Sequence, residues 1–223
     1  MEHLLVYGDS LTWGIIPGTR NRLAAERRWP LVLEHELRQQ GRDVRVVEDC
    51  LNGRRTVWED PFKAGRNGLG GLEQRIEVNS PLALVVLMLG TNDFQSVHQN
   101  NSWQSSQGVA ALVRAVRRAP IEPGMPAPRI LIVAPPPIRT PAGEMAEKFA
   151  GGGERSAGVG DAFRRVAAEL ECAFFDAGEV VHVSAVDGVH LDADQHVALG
   201  RSLAPVVASL MECSPPGLQS RQA

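Results

Sequence analysis

Several functional classes are excluded by what this chain has little of. Its three cysteines, Cys50, Cys172 and Cys213, are odd in number, widely spaced and free of any Cys-x-x-Cys pair. That pattern argues against a disulfide framework or a cysteine zinc site and fits reduced thiols. Neither sign of charge dominates: 23 basic and 26 acidic residues leave a formal net charge of -3. No chain-wide field therefore exists to hold nucleic acid or an anionic membrane, and neither is expected as a partner. No apolar run reaches the length of a membrane-spanning helix, and the longest, from Leu82 to Leu89, is the size of a strand. The first residues carry no basic stretch, and Leu4 to Val6 is too short for an export signal, so a cytoplasmic protein is the expectation. A phosphate-binding glycine loop and the G-x-S-x-G elbow of α/β-hydrolases are both missing.

What remains is a chain of 223 residues, 43% apolar and 22% charged, long enough to bury one substantial core. A single domain is expected over residues 1–213. The Pro-, Gly-, Ser- and Gln-rich stretch 214–223 has no periodicity and is expected to be a disordered tail. Five short apolar segments recur, near Leu5, Val46, Val86, Ile132 and Phe174, with the Val, Leu and Ile content of strands buried on both faces. Helical spacing separates them. Val109, Leu112, Val113 and Val116 repeat at i, i+3, i+4 and i+7, as do Phe163, Val166, Ala167 and Leu170. Trp29, Leu33 and Leu37 mark an earlier helix with Pro30 in its first turn. Leu199, Leu203, Val206, Val207 and Leu210 mark a last one, which Pro205 is expected to kink or shorten. Strands alternating with helices specify an α/β fold with a parallel sheet covered on both sides.

In such a sheet, working groups collect at the carboxyl ends of the strands. The polar motifs of this chain fall there: GDSL after the first apolar segment, LNGRR after the second, GTND after the third, APPP after the fourth and DGVH beyond the fifth. Nucleophilic catalysis by serine needs an open hydroxyl, a base, an acid that orients the base, and donors for the oxyanion. Ser10 supplies the hydroxyl. Asp187 and His190 lie three positions apart, so the carboxylate can reach the imidazole of its own segment. Gly53 permits a close backbone approach with its N–H free to face a cleft, and Asn92 offers a side-chain amide.

These residues carry a resemblance. GDSL at Gly8 to Leu11, Gly53 in LNGRR, GTND at Gly90 to Asp93 and DGVH at Asp187 to His190 resemble, in order and content, the four blocks of the SGNH (GDSL) hydrolase family. The extended forms GDSLTWG and LGTND, with APPP and the FAGGGE stretch from Phe149 to Glu154, are similar to its bacterial arylesterase and acyltransferase branch. The resemblance implies a flavodoxin-like three-layer sandwich and ester hydrolysis with no metal and no cofactor. It further implies Ser10 as nucleophile, His190 as base and Asp187 as its orienter, with Ser10 N–H, Gly53 N–H and Asn92 forming the oxyanion hole. Homo-oligomers are common in that branch, so one is expected here.

Around this set the roles divide. Leu11, Trp13, Thr91, Phe149 and Val189 flank the motifs and are the candidate substrate-binding residues. For Trp13 the alternatives are a pocket wall and core packing. The segments Phe94 to Trp103 and Ile138 to Ala157 are expected to shape the acyl pocket. Asp9 and Asp93 read as turn or cap residues, Arg54 and Arg55 as a solvated or intersubunit pair with steering of an anionic group as the alternative, and Asp176 as a structural carboxylate. Among the other histidines, His182 is the rival to His190, while His3, His35, His98 and His196 read as structural or solvated. The expected function is a serine esterase for small acyl esters, with transfer to alcohol or peroxide as a variant of the same chemistry. Carbohydrate deacetylation, lysophospholipid or thioester cleavage, and a nonenzymatic binding module on the same scaffold are the competing readings.

Overall fold

The computed structural model describes residues 1–212; the stretch 214–223 and Cys213 lie outside the described residues. Strands β1 (Glu2–Gly8), β2 (Val44–Cys50), β3 (Leu84–Met88), β4 (Arg129–Ala134) and β5 (Ala173–Asp176) form one sheet in the order β2-β1-β3-β4-β5. Every pairing is parallel. This is the flavodoxin-like order, which reverses direction between β1 and β3. Gly8 of β1 pairs with Met88 of β3, so these two strands end side by side.

Alternation along each strand splits the core in two. Leu5, Tyr7, Val85, Leu87, Ile130 and Ile132 face helices α3 (Leu72–Asn79), α4 (Ser102–Arg118) and α7 (Val159–Glu169). Leu4, Val6, Val44, Val46, Leu84, Val86 and Leu131 face α2 (Trp29–Gln39) and α8 (Ala193–Glu212). Beyond their first residues, Glu2 and His3 of β1 and Arg129 of β4, the inner strands are buried on both faces and almost wholly apolar. The edge strands differ from the expectation of full burial: β5 is only half-buried along its length, and β2 carries an exposed Arg45. An edge strand has a neighbour on one side only, so its covering helices reach over it incompletely.

Pro205 does not shorten the last helix, which runs through it to Glu212. Proline removes one N–H, which leaves the carbonyl four residues earlier, at Arg201, without its helical partner. Pro205 and Arg201 both face solvent, so water can take that role. The buried side of α8 lies close against α2. A Cβ on Gly200 would stand 2.7 Å from the Trp29 carbonyl oxygen, closer than such atoms approach. His196, fully buried one turn earlier, accepts the Trp29 N–H on Nδ1 at 3.4 Å and thereby caps a helix start that has no side-chain cap of its own. Cys50 and Cys172 are free, and no helix among the described residues is long and apolar enough to cross a membrane.

The buried His196 ring makes acid stability testable. Burial first, then the charges of His190 and Arg28, push its pKa down to about 3. A depressed base stays neutral when folded but takes up a proton once unfolded, so its contribution is present above about pH 6.5 and is lost as pH falls toward 3. In His196→Asn, Oδ1 can replace Nδ1 as acceptor while the titration disappears. Urea unfolding of both proteins should show wild type losing up to about 3 kcal/mol more than the variant between pH 6.5 and 4. Parallel pH profiles would refute this.

Candidate active site

Ser10 stands at the first position of a single helical turn, α1 (Ser10–Trp13), that begins directly where β1 ends. Two local features force the turn. Gly8 is required by space, because a Cβ there would lie 2.1 Å from Thr12 Oγ1. Asp9 caps the turn, its Oδ1 accepting the Leu11 N–H at 2.9 Å. The second Asp9 oxygen accepts the Asn92 amide at 3.0 Å, which joins the loop after β1 to the loop after β3. Burial pushes the Asp9 carboxyl up to about 6, against the Leu11 N–H, the charge of His190 and the Asn92 amide, which all favour the ionised form.

The segment Asp187 to His190 folds onto Ser10 from 180 residues away. Asp187 Oδ1 accepts the N–H of Val189 at 3.0 Å and of His190 at 2.9 Å, which closes the turn. Its Oδ2 lies 2.7 Å from His190 Nδ1, and His190 Nε2 lies 3.1 Å from Ser10 Oγ. A proton on Nδ1 facing the carboxylate leaves Nε2 as the acceptor for the serine hydroxyl. Burial would raise the Asp187 carboxyl, but the His190 ring and the two N–H groups outweigh it and hold it down at about 2. The spacing of three in D-x-x-H is thus a capped turn whose capping carboxylate also grips the imidazole.

The donors lie opposite. Gly53 adopts φ +83°, the left-handed region, and its N–H has no acceptor among the described residues; neither has the Ser10 N–H. Asn92 is more constrained than its motif suggests. Its Nδ2 donates to Asp9 Oδ2 and, at 3.1 Å, to the Arg54 carbonyl, while its Oδ1 accepts from Gln95 Nε2 at 2.7 Å. An oxyanion drawing on Asn92 takes the hydrogen now given to the Arg54 carbonyl. Gln95 in turn accepts from Arg55 Nη2 at 2.6 Å, so the amide plane of Asn92 is fixed on three sides. Gln95 escaped the sequence reading; its signal was its place three residues after Asn92 in TNDFQ.

Several expectations change here. Arg54 and Arg55 are neither solvated nor at a surface. Arg54 is buried across the Tyr7 ring at 3.9 Å and bonds the Gly8 and Asp49 carbonyls and the Asp49 carboxylate, while Arg55 is fully buried between Asp60 and Gln95. Asp93 is not a cap but a buried tie, accepting from Thr56 N–H at 2.9 Å, Thr56 Oγ1 at 2.7 Å and Ser105 Oγ at 2.7 Å. Burial pushes its carboxyl up to about 6 in spite of those bonds. Asp176 caps the turn after β5 through the Gly178 N–H, and His182 is exposed on the surface.

Ser10, Gly53, Asn92 and His190 all line one cleft of about 460 Å³, with Ile15, Met145 and Phe149 as its apolar wall. Of the candidate substrate-binding residues only Phe149 lines it. Leu11, Thr91 and Val189 are buried in the loops beneath, and Trp13 lies half-buried with the Arg22 guanidinium over its ring at 4.8 Å. The segment Ile138 to Ala157 does contribute Met145, Lys148 and Phe149, but no residue from Phe94 to Trp103 lines the cleft, because Phe94 and Gln95 turn inward. An adjacent cleft of about 550 Å³ opens on the Asp187 side of His190.

Residues 6–198 match the model of the GDSL-like lipase/acylhydrolase family. Among solved structures, a carbohydrate acetylesterase family member from Sinorhizobium meliloti is 40% identical with a TM-score of 0.89, over 96% of this chain and 100% of that one. The inhibitor-bound aryl esterase of M. smegmatis is 33% identical, TM-score 0.88, over 94% of this chain and 100% of that one. A second carbohydrate acetylesterase from S. meliloti has the same identity, TM-score and coverage. No curated protein sequence matches the chain.

The Asp93 tie should carry much of the stability beneath the site. Asp93→Ala strands the Thr56 N–H and two hydroxyls in a dry environment, at an expected cost of about 2–5 kcal/mol. Denaturant unfolding measures it, and a loss under about 1 kcal/mol would show that these bonds contribute little.

Proposed function

The chain belongs to the GDSL-like lipase/acylhydrolase family and is a carboxylic ester hydrolase, and from that premise we propose that it cleaves esters of small, acetyl-like acyl groups with Ser10 as nucleophile. The observation that carries this reading is the unbroken line Ser10 Oγ, His190 Nε2, His190 Nδ1, Asp187 Oδ2, with contacts of 3.1 and 2.7 Å. His190 takes the hydroxyl proton as Oγ attacks the ester carbonyl. Asp187, ionised far below neutral pH, holds the ring in the tautomer that can accept it and stabilises the imidazolium that forms. The Ser10 and Gly53 N–H groups, free of other acceptors among the described residues, meet the developing oxyanion, and the Asn92 amide exchanges the Arg54 carbonyl for it. Collapse expels the alcohol with the proton from His190. Water then repeats the sequence on the acyl-enzyme and releases the acid and Ser10.

The similarity to two carbohydrate acetylesterases supports a small acyl group, and the similarity to an aryl esterase supports an alcohol half that tolerates a ring. Replacing water by another alcohol or by peroxide at the acyl-enzyme needs no change in the residues and gives acyl transfer or perhydrolysis.

Ser10→Ala should retain the wild-type thermal midpoint and lose nearly all turnover of para-nitrophenyl acetate, and a fluorophosphonate should label the wild type once, at Ser10. Labelling located elsewhere by mass spectrometry contradicts the assignment. Asn92→Ala should lower kcat by about 10²–10³-fold with little change in KM, since its amide serves the oxyanion more than the bound ester. A loss confined to KM would make Asn92 a substrate-binding residue instead.

A further inference from the structure

Three cations, Arg20, Lys63 and Lys148, line the Ser10 cleft against one carboxylate, Asp60. Arg20 comes from the loop after α1, Lys63 from the loop after β2, and Lys148 from the end of a short helix, α5 (Met145–Lys148). None of the three forms an ion pair or a side-chain hydrogen bond among the described residues. The single carboxylate lining the cleft besides them, Asp60, is committed elsewhere: it accepts from buried Arg55 at 2.8 Å and from the Phe62 N–H at 2.9 Å. Lys148 lies across the Phe149 ring at 5.8 Å, and burial together with the charges of Arg55, Arg20 and Lys63 lowers its ammonium below the usual lysine range. All three reach solvent at the mouth of the cleft. In a chain of net charge -3 this cleft has the opposite sign. Like charges gathered in a cleft destabilise the empty protein and focus a field on whatever enters it.

Resting on the Ser10 reading above, we propose that the substrate is an ester bearing an anionic group, a carboxylate, sulfate or phosphate, which Arg20, Lys63 and Lys148 hold while Ser10 attacks the ester carbonyl. The neighbouring cleft does not offer the same field, because Glu144 lines it together with Arg20 and Asp187. The anion therefore sits on the side of Ser10 where Gly53 and Asn92 lie, walled by Phe149 and Met145.

The test compares three activated esters, each rate divided by that of its spontaneous hydrolysis: neutral para-nitrophenyl acetate, para-nitrophenyl hemisuccinate with the anion on the acyl half, and the acetate ester of a carboxylated nitrophenol with the anion on the alcohol half. At low ionic strength one anionic ester should exceed the neutral one in kcat/KM by about tenfold or more, with the advantage shrinking as salt is added. Which one it is assigns the cleft to the acyl or the alcohol half. Lys63→Glu and Lys148→Glu should each lower that ratio several-fold, whereas Arg164→Glu, a charge reversal of equal size on α7 outside the cleft, should leave it in place. Ratios at or below one for both anionic esters, or ratios that the two lysine variants do not move, overturn the proposal. Turnover of the neutral ester that vanishes in Ser10→Ala would in that case leave the nucleophile assignment standing, so the two failures are distinguishable.

Discussion

One carboxylate, that of Asp9, has to satisfy two loops at once. Its Oδ1 caps the turn that presents Ser10, and its Oδ2 receives the amide of Asn92. The two loops leave β1 and β3 where those strands end side by side and the sheet order changes direction. Such a point opens a crevice in any parallel sheet, but it does not by itself set the distance across it. Here that distance is set by a single acid bonded on both sides. The arrangement is costly, since Asp9 is almost fully buried and burial pushes its carboxyl up. An apolar residue in its place would avoid that cost and leave the Leu11 N–H and an Asn92 hydrogen unmatched, which loses both loops together.

Beneath Asp9 the same logic extends into a polar layer inside an otherwise apolar core. Asp93 ties Thr56 to Ser105 on α4; Gln95 ties Asn92 to Arg55; Arg55 ties the layer to Asp60; and Arg54 ties the end of β1 to Asp49 on β2. Nearly every member is matched by another, which is the condition under which buried polar groups fix a geometry instead of loosening it. Close packing enforces the layer too: a Cβ on Gly108 would lie 2.0 Å from Thr56 Oγ1. The loops after β1, β2 and β3 are therefore cross-linked through buried side chains beneath the cleft.

The strands, the helices and the Asp187–His190 turn were legible in the sequence because each rests on short-range order, whereas the meeting of that turn with Ser10, 180 positions away, was legible only from the placing of both motifs at strand ends and from their family resemblance. The apolar runs near Leu5, Val86 and Ile132 reflect burial on two faces, and D-x-x-H is a turn that its own acid closes. Arg54 and Arg55 were misread because two arginines beside a glycine look solvated until Gln95, 40 positions away, supplies a partner. Trp13, for which a pocket wall and core packing were the alternatives, neither lines the Ser10 cleft nor is fully buried; it lies half-buried with the Arg22 guanidinium over its ring. That Pro205 does not shorten the last helix depends on its exposed position, where water can replace the lost hydrogen bond.

Recognition is harder to read than chemistry because it is assembled from segments that have little else in common. Arg20 and Lys63 sit in two loops and Lys148 at the end of α5, and a net charge of -3 conceals that they line one cleft. Yet the wall that carries Lys148 is not independent of the catalytic machinery. The Arg139 N–H bonds the Gly188 carbonyl and the Ala142 N–H bonds the Asp187 carbonyl, each at 3.0 Å, so the segment leading into α5 is pinned to the turn that holds Asp187. On its far side the Ser96 N–H bonds the Lys148 carbonyl at 2.9 Å, one residue after Gln95, which orients Asn92. The wall is thus anchored at one end to the turn of Asp187 and at the other to the loop of Asn92. A group bound against Lys148 and Phe149 is referenced to both halves of the reaction centre, which is the geometric condition for binding energy remote from the ester to orient its carbonyl.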